Sequence, residues 1–353
     1  MISPILNSLA ARPLWRLAPM AVIALGIMLV AVAWEAADVR AAENATSQDI
    51  IQAVVGIRTM VPEDARTAEH LGTMRSGNGI VIDDQGLVLT IGYLMLEASA
   101  AAVTDVDGVL VRASLVAYDH NTGFGLLRAR HPLGIKPVPL GSSADLVEGS
   151  SVIVISKGGS MPVMAARVAS RREFAGYWEY LLEDAIFTVP PNPQYGGAAL
   201  IDSNGRLVGI GSLAVNDAVQ GPKPVRGNMF VPIDALKPIL SELVEKGRTS
   251  GPRHPWLGVY TDETRGRVVV TRTAAGGPAD TAGIRPGDVI IMGVGGKRVK
   301  SIADFYRKIW ARGSAGVEIP IDLVPANAES LKIKAIKVHS QDRYDWLKLN
   351  EGF

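Results

Sequence analysis

The segment NPQYGGAALIDSNGRLVGI, residues 192–210, contains two short apolar runs separated by a polar turn. The runs AALI and RLVGI have the length of β-strands, and Asn204–Gly205 stands between them. A type I′ turn favours Asn-Gly because both central residues take positive φ, so this stretch predicts a β-hairpin. The preceding residues 192–197, NPQYGG, combine proline with two glycines, which predicts a tight turn just before the hairpin.

The same alternation of short apolar runs and turn signals extends on both sides of the hairpin, from about residue 51 to residue 245. Further examples are GNGIVIDDQGLVLT (77–90), AAVTDVDGVLVRASLVAYD (101–119) and SSVIVIS (150–156). Many short strands and few long helices predict an all-β fold, either a sandwich or a pair of barrels. The exception is PIDALKPILSELVEK, residues 232–246, whose apolar positions at helical spacing predict an amphipathic helix.

The composition excludes several classes of site. The chain has 353 residues, of which 48% are hydrophobic and 20% charged, and its formal net charge is +1. This balance, without a basic block, gives nucleic acid no electrostatic attraction. The absence of cysteine excludes disulfides, thiolate metal sites and a cysteine nucleophile. The histidines lack ligand spacing, so we predict neither a metal nor another cofactor. They are His70, His120, His131, His254 and His339.

The N-terminal region contains an uncharged apolar run, LAPMAVIALGIMLVAVAW, at residues 17–34. Its length is at the lower limit for a helix that spans a membrane. Arginines precede the run and acidic residues follow it, so residues 1–16 are expected to stay in the cytoplasm while the remainder is exported. We predict an uncleaved anchor, followed by a linker over residues 35–50. The alternative is a signal peptide cut near VRA, residues 39–41.

Seven sequence blocks occur in an order that resembles the HtrA/DegP family of exported serine proteases. The blocks that resemble its barrel strands and loops are GNGIVIDDQGLVLT (77–90), VAYDHNTGFGLLR (116–128), PVPLGSSADLVEGSSVIVI (137–155), NPQYGGAALIDSNGRLVGI (192–210) and NMFVPIDALKPIL (228–240). The blocks that resemble its PDZ module are PWLGV (255–259) and GPADTAGIRPGDVIIMGVGGKRV (277–299). The resemblance covers roughly residues 50–339 and implies a mostly β chain, a chymotrypsin-like double β-barrel followed by one PDZ domain.

The resemblance also predicts the domain limits and the location of the chain. It implies a trypsin-like protease domain over residues 51–246, a linker over 247–255, a PDZ domain over 256–339 and a C-terminal tail over 340–353. With the anchor at residues 17–34, it implies a single-pass protein of the inner membrane whose bulk lies in the periplasm. Cleavage of that segment would instead release the chain into the periplasm.

The family's catalytic triad of histidine, aspartate and serine is replaced at every position. LTIGY puts Tyr93 at the histidine position, where a phenol with an ordinary pKa of about 10 is a poor general base. DHNTGFGLL puts Gly123 at the aspartate position. NPQYGGAAL puts Gly196 at the serine position, or Tyr195 after a shift of one residue. Gln194 replaces the glycine whose amide helps to form the oxyanion hole.

These replacements predict a pseudoprotease, with a triad that has degenerated and no catalytic residue. The alternative is an active serine endopeptidase with a non-standard site, which would need a serine within reach of His120. In such a site His120 and the neighbouring Asp119 would form a new catalytic dyad. The simpler interpretation is that both residues belong to a solvated turn. By resemblance, YWEYLLEDAIFTVPP (177–191) lines the old cleft. This stretch contains the aromatic residues Tyr177, Trp178 and Tyr180. They either stack on a peptide or on another subunit, or they are ordinary packed residues.

A PDZ domain binds an extended peptide as an added strand, and the loop before the edge strand donates backbone N–H groups to the terminal carboxylate. By resemblance, the peptide-binding residues are Trp256, Leu257, Gly258 and Val259 from this loop and strand, and Phe305 and Ile309 from a helix over residues 301–312. The alternative is a domain that binds no terminus and only packs against the barrels. The tail ends at Phe353 and is predicted to be partly frayed.

Together these features predict a non-enzymatic scaffold or regulator in protein quality control or complex assembly. Its expected partners are protein C-termini or unfolded segments, bound through the PDZ domain. Assembly with further copies of itself or with an active protease relative is a further expectation, and the membrane contact is assigned to residues 17–34.

Overall fold

The structure is a computed structural model that describes residues 46–105, 107–286, 289–325 and 332–349. The predicted anchor over 17–34, most of the linker over 35–50 and the chain end at Phe353 lie outside these residues. Within the described residues, no helix is both long and apolar enough to cross a membrane.

The first domain is a closed β-barrel. Its strands are β1 (Val54–Met60), β2 (Met74–Val81), β3 (Leu87–Ile91), β4 (Ala100–Thr104), β5 (Leu110–Tyr118) and β6 (Phe124–Ala129). They pair in the order β1-β2-β3-β6-β5-β4. Helix α1 (Ser47–Gln52) precedes the barrel, and α2 (Ala68–Leu71) connects β1 to β2. Strand β3 is buried at every position and leads into a 3-10 turn, Gly92–Leu94, so it fixes the position of Tyr93.

The second domain is another closed barrel, which confirms the predicted pair of barrels. Its strands are β7 (Ser151–Ile155), β8 (Val163–Gly176), β9 (Tyr180–Val189), β10 (Ala199–Ile201), β11 (Leu207–Val219) and β12 (Val225–Pro232). They pair in the order β10-β11-β12-β9-β8-β7. Its buried core contains Val154, Ile186, Leu200, Val208 and Phe230. Two features of this barrel position the candidate sites: the turn at 192–197 and the tip of the β8–β9 hairpin.

The predicted hairpin at residues 199–210 is present, but its turn is not type I′. Strands β10 and β11 pair antiparallel around it. Gly205 has a positive φ of 75°, whereas Asn204 is not among the residues with positive φ, as a type I′ turn requires. The Asp202 carboxylate accepts bonds from the amides of Asn204 and Arg206, both at 2.9 Å, and this side chain stabilises a longer turn.

The predicted helix over 232–246 is shorter than expected. A 3-10 turn, Ile233–Ala235, follows β12. The α-helix that comes after it, α3, spans only Leu240–Lys246. Pro238 explains the difference, since proline lacks an N–H and disfavours helical geometry at the residue before it.

The C-terminal domain is a single antiparallel sheet with short helices. Its strands are β13 (Val259–Thr264), β14 (Arg267–Thr273), β15 (Val289–Val294), β16 (Lys297–Arg298), β17 (Glu318–Pro325) and β18 (Lys334–His339). The order is β13-β14-β15-β17-β18, with β16 paired to β15, so β13 is an edge strand. Helices α4 (Pro278–Thr281) and α5 (Ile302–Trp310) accompany the sheet. Helix α5 begins after Ser301, whose side chain accepts a bond from the Asp304 amide at 3.1 Å.

The predicted fraying of the tail is wrong for residues 340–349. Helix α6 (Arg343–Trp346) is followed by Leu347 and Leu349, which are buried in one cluster with Leu96 and Tyr118 of the first barrel. The Tyr344 hydroxyl also donates a hydrogen bond to the Tyr118 carbonyl at 2.6 Å. Burial of these apolar side chains offsets the entropy cost of ordering the tail.

This packing makes the tail part of the stable structure. We expect Leu347→Ala to lower the free energy of unfolding by about 2–3 kcal/mol, because it removes a buried side chain from a small cluster. Urea unfolding of the purified protein measures this change. Leu110→Ala is the matched control: Leu110 is 59% exposed, so the same truncation should have little effect. Equal effects of the two variants would contradict the docked tail.

Candidate functional site

The structure places Tyr93 directly beside Gly196. The Tyr93 hydroxyl donates a hydrogen bond to the Ser212 carbonyl on β11 at 3.0 Å. A Cβ atom added at Gly196 would lie 2.8 Å from that hydroxyl, closer than real Cβ contacts allow. Burial raises the pKa of Tyr93 far above its ordinary value, and nearby Tyr195 adds to this shift. The phenol therefore stays protonated and fills the space that a side chain at residue 196 would need.

Gly123 lies close to the same point. It stands in the turn between β5 and β6, and its carbonyl accepts a bond from the Gly92 amide at 2.7 Å. Its φ is 82°, a left-handed conformation that glycine adopts without strain. A Cβ atom at Gly123 would approach the Tyr180 hydroxyl to 3.4 Å. The triad-equivalent positions are thus brought together, but none of them carries a base, an acid or a nucleophile.

The turn at 192–197 is held by hydrogen bonds within the turn and from Asn78 of strand β2. The Gln194 amide, predicted to correspond to an oxyanion-hole donor, donates instead to Asn192 Oδ1 at 2.7 Å. Asn78 Nδ2 donates to the carbonyls of Gln194 and Gly196 at 2.7 and 2.8 Å. Tyr195 is half-buried, and its carbonyl accepts a bond from the Ala198 amide at 2.9 Å. An amide that already has a good acceptor is not available to stabilise an oxyanion.

His120 does not form a dyad with Asp119. Arg343 is a donor only, so its contact with His120 Nε2 at 3.1 Å makes that nitrogen an acceptor. His120 Nδ1 then donates to the Tyr118 hydroxyl, 3.0 Å away. Burial lowers the pKa of His120 well below its usual value, which keeps the ring neutral. The Asp119 carboxylate accepts bonds from Thr122 at 2.8 and 2.7 Å. No serine of the described chain lines the cavity beside His120.

A cavity of about 180 Å³ occupies the region of the old cleft. Trp178 and Tyr180 stack there with ring centroids 5.5 Å apart, and the Tyr180 hydroxyl donates to the Thr122 carbonyl at 2.7 Å. Tyr177 is 58% exposed at the same hairpin tip. The lining includes Tyr93, Gly123, Trp178, Tyr180, Arg66 and Arg272. Across the described ranges, no group of three or more His, Cys, Asp or Glu side chains is arranged to hold a metal.

The predicted carboxylate loop of the C-terminal domain binds a carboxylate of the same chain. Glu179 Oε1 accepts bonds from the amides of Gly258 and Val259 at 2.6 and 2.9 Å, and Oε2 accepts from Leu257 at 2.9 Å. Glu179 is 3% exposed and lies in the turn between β8 and β9 of the second barrel. Trp256 lies beside this loop, and its amide donates to the carbonyl of Gln341 at 3.0 Å.

The helix wall contacts the same hairpin. Phe305 and Ile309 are fully buried in the core cluster of the C-terminal domain, and that cluster includes Leu181 from strand β9. The hydroxyl of Tyr306 donates to the Gly176 carbonyl at 2.7 Å and accepts from the Glu179 amide at 3.0 Å. The assignment of Phe305 and Ile309 to peptide binding stays a prediction, and Tyr306 is at helical spacing with them. Sequence reasoning missed the role of Glu179.

The electrostatics of Glu179 reflect two opposing effects. Burial raises the pKa of its carboxyl group to about 7 and outweighs the three amide bonds and Arg343, which lower it. The folded chain therefore keeps a proton on Glu179 at pH values where the unfolded chain has released it. Folding takes up this proton between the ordinary glutamate pKa and about 7, so the stability contributed by Glu179 declines as the pH rises through that window.

We expect the stability of the wild-type protein relative to Glu179→Gln to fall by about 3 kcal/mol between pH 4.5 and pH 8. The glutamine cannot titrate, and both proteins contain Arg343 and His120, so the difference in unfolding free energy isolates Glu179. Urea unfolding at several pH values provides the measurement. A difference that is independent of pH, or that grows with pH, would contradict the raised pKa.

The contact between Tyr93 and Gly196 gives a second prediction. Gly196→Ala should lower the free energy of unfolding by about 1–3 kcal/mol, because the new Cβ meets the Tyr93 hydroxyl. The cost should largely disappear in a Tyr93→Phe background, since the next nearest atom, Tyr93 Cζ, is 3.8 Å from the added Cβ. A double-mutant cycle measures this coupling.

Gly56→Ala is the control for this cycle, because a Cβ atom at that strand position meets its nearest neighbour at 3.5 Å, an ordinary contact. Its cost should be small and should not depend on Tyr93. If Gly196→Ala costs the same in both backgrounds, the hydroxyl does not occupy the space beside residue 196.

Comparisons with known proteins agree with this architecture. The trypsin-like peptidase domain family matches residues 77–210, and the PDZ domain family matches residues 255–326. Protease Do-like 1, chloroplastic, of Arabidopsis thaliana is 30% identical over 291 residues, 75% of this chain and 64% of that protein. A probable periplasmic serine endoprotease DegP-like of Bartonella henselae is 27% identical, over 76% of this chain and 54% of that protein.

A third relative is the serine endoprotease DegS of Haemophilus influenzae, which is 26% identical over 70% of this chain and 76% of its own length. The chain spans less than two thirds of the Arabidopsis and Bartonella relatives. The two domain matches follow each other in the order of the two barrels and the C-terminal sheet. The chain therefore contains a trypsin-like peptidase domain followed by a PDZ domain and is homologous to the HtrA, DegP and DegS proteases.

Proposed function

We propose that this protein is an HtrA-like pseudoprotease, an exported scaffold that binds proteins and does not cleave them. The observation that carries this proposal is the position of the Tyr93 hydroxyl, 2.8 Å from the site of a Cβ at Gly196. The place where the family's nucleophile stands is filled by a neutral phenol.

Three further observations support the loss of catalysis. An acyl-transfer site needs a general base and free amide donors for the oxyanion, in addition to a nucleophile. The base position holds Tyr93, whose raised pKa keeps it protonated. The Gln194 amide is bound to Asn192. His120, the other candidate base, has both ring nitrogens in contact with neighbours other than a serine.

The binding role rests on the PDZ domain. A PDZ domain takes protein C-termini or extended segments at its edge strand, and here β13 is such an edge. We propose protein C-termini or unfolded segments as the partners, with homo-oligomers or complexes with an active protease relative as the assemblies in which the scaffold acts. The role would be in protein quality control or complex assembly.

We further propose that residues 17–34 anchor the chain in the inner membrane, with the domains over 51–246 and 256–339 in the periplasm. The uncharged apolar run and the arginines before it support this orientation. A periplasmic relative, the DegP-like protein of Bartonella henselae, supports the compartment.

An activity-based test separates the pseudoprotease from an active protease. The full-length chain, solubilised in detergent, is incubated with unfolded casein and with a fluorophosphonate probe, beside a proteolytically active HtrA-type protease. We expect neither cleavage nor labelling of this chain, because no serine of the described residues lines the cavity beside His120 and Gly196 stands at the predicted nucleophile position. Labelling of one serine, together with casein cleavage that its alanine substitution abolishes, would establish the alternative, an active endopeptidase with a non-standard site.

A further inference from the structure

We propose that the tip of the β8–β9 hairpin, residues 176–181, is a built-in ligand of the PDZ domain, which an incoming protein C-terminus must displace. This inference rests on the proposed peptide-binding function and names what already occupies the groove. The three loop amides that would bind a terminal carboxylate, those of Leu257, Gly258 and Val259, all donate to the Glu179 side chain.

The hairpin reproduces each element of a bound peptide. Glu179 supplies the carboxylate. Leu181 supplies an apolar side chain, which is 9% exposed and buried in the PDZ core cluster. The backbone contributes as well, because the Tyr177 carbonyl accepts a bond from the Thr261 amide of edge strand β13 at 3.0 Å. A peptide added to the edge of a sheet relies on these same kinds of contact.

The backbone of Glu179 shows that the turn is adapted to this contact. Strands β8 and β9 pair at Gly176 and Tyr180, which leaves a three-residue loop. Glu179, the last of the three, has a φ of 59°. Glycine or asparagine suits that left-handed position better than glutamate. The strained backbone and the buried carboxyl group are both unfavourable in isolation, and the hydrogen bonds to the PDZ loop offset them.

The PDZ helix holds the hairpin from the other side. The Tyr306 hydroxyl bonds the backbone of Gly176 and of Glu179, at the two ends of the turn. The Arg307 guanidinium pairs with Glu173 and Glu183 on the flanking strands. The Tyr306 bonds are buried, so they contribute more to docking than the Arg307 pairs, which are partly exposed to solvent.

Displacement of this hairpin would also change the old catalytic cleft. Trp178 and Tyr180 flank Glu179 in sequence and line the cavity that contains Tyr93 and Gly123. A peptide that takes the place of Glu179 in the PDZ loop therefore moves the wall of this cavity. Its apparent Kd equals the intrinsic Kd divided by the fraction of molecules in which the hairpin has left the PDZ loop, so docking weakens binding.

The test compares peptide binding by the wild-type chain, Glu179→Ala and Asp184→Asn. The probes are short fluorescent peptides that end in valine, leucine or phenylalanine, each with a free or an amidated C-terminus. We expect Glu179→Ala to bind the free-carboxylate peptides on the order of tenfold more tightly than the wild type, and to bind the amidated peptides poorly. Asp184→Asn is the matched control, because the Asp184 side chain is in the same hairpin, is 58% exposed and pairs with Arg171 of β8 instead of the PDZ domain, so this variant should behave as the wild type. Equal affinities of the wild type and Glu179→Ala would overturn the proposal.

Amide hydrogen exchange without peptide distinguishes this inference from the proposed function. We expect exchange at residues 257–259 to be faster in Glu179→Ala than in the wild type, because the amides lose their acceptor. Glu179→Gln, which keeps one acceptor oxygen and the side-chain size, should be intermediate. Unchanged exchange in Glu179→Ala would overturn the built-in ligand. If exchange is faster in Glu179→Ala but no peptide binds, the hairpin is a built-in ligand of the PDZ loop and peptide binding is not part of the protein's function.

Discussion

The contact between the Glu179 carboxyl group and the PDZ loop is the interaction on which the arrangement of the domains depends. A buried carboxyl group is tolerated only where donors replace the water it has lost. Here the donors are consecutive backbone amides, whose positions are set by the start of edge strand β13. The loop and the hairpin tip thus fix each other. Leu181 and Tyr306 are buried in one cluster beside this contact, which links the core of the PDZ domain to the second barrel.

A different constraint applies around Tyr93, where neighbouring residues depend on each other for space. Tyr93 fits because residue 196 has no side chain, and its hydroxyl is held by Ser212. Gly123 leaves room for the Tyr180 ring and takes a backbone conformation that suits glycine. A side chain added at Gly196 would therefore clash with the Tyr93 hydroxyl, and one added at Gly123 would strain the backbone.

Sequence reasoning predicted the fold because the fold depends on local blocks in a fixed order. The same blocks assign Tyr93, Gly123 and Gly196 to the triad-equivalent positions, and this assignment stays a prediction. It overestimated the helix over 232–246 by giving its apolar periodicity more weight than Pro238. It missed the docked tail, whose buried residues are few and whose partners, Leu96 and Tyr118, are distant in sequence. It also missed the role of Glu179. That contact joins residues 78 to 80 positions apart and depends on a positive φ, and neither feature has a local sequence signal.

Arg343 of the tail connects these regions. Its guanidinium donates to His120 of the first barrel and, at 2.9 Å, to the carbonyl of Trp178 at the hairpin tip. Its positive charge also lowers the pKa of Glu179 and that of His120. When the hairpin leaves the PDZ loop, the bond from Arg343 to the Trp178 carbonyl breaks. Arg343, which also bonds His120, then has one hydrogen bond fewer to hold it in place. The tip of the β8–β9 hairpin contacts the PDZ loop, lines the cavity beside Tyr93 and bonds Arg343 of the tail. We therefore infer that these three contacts are energetically coupled.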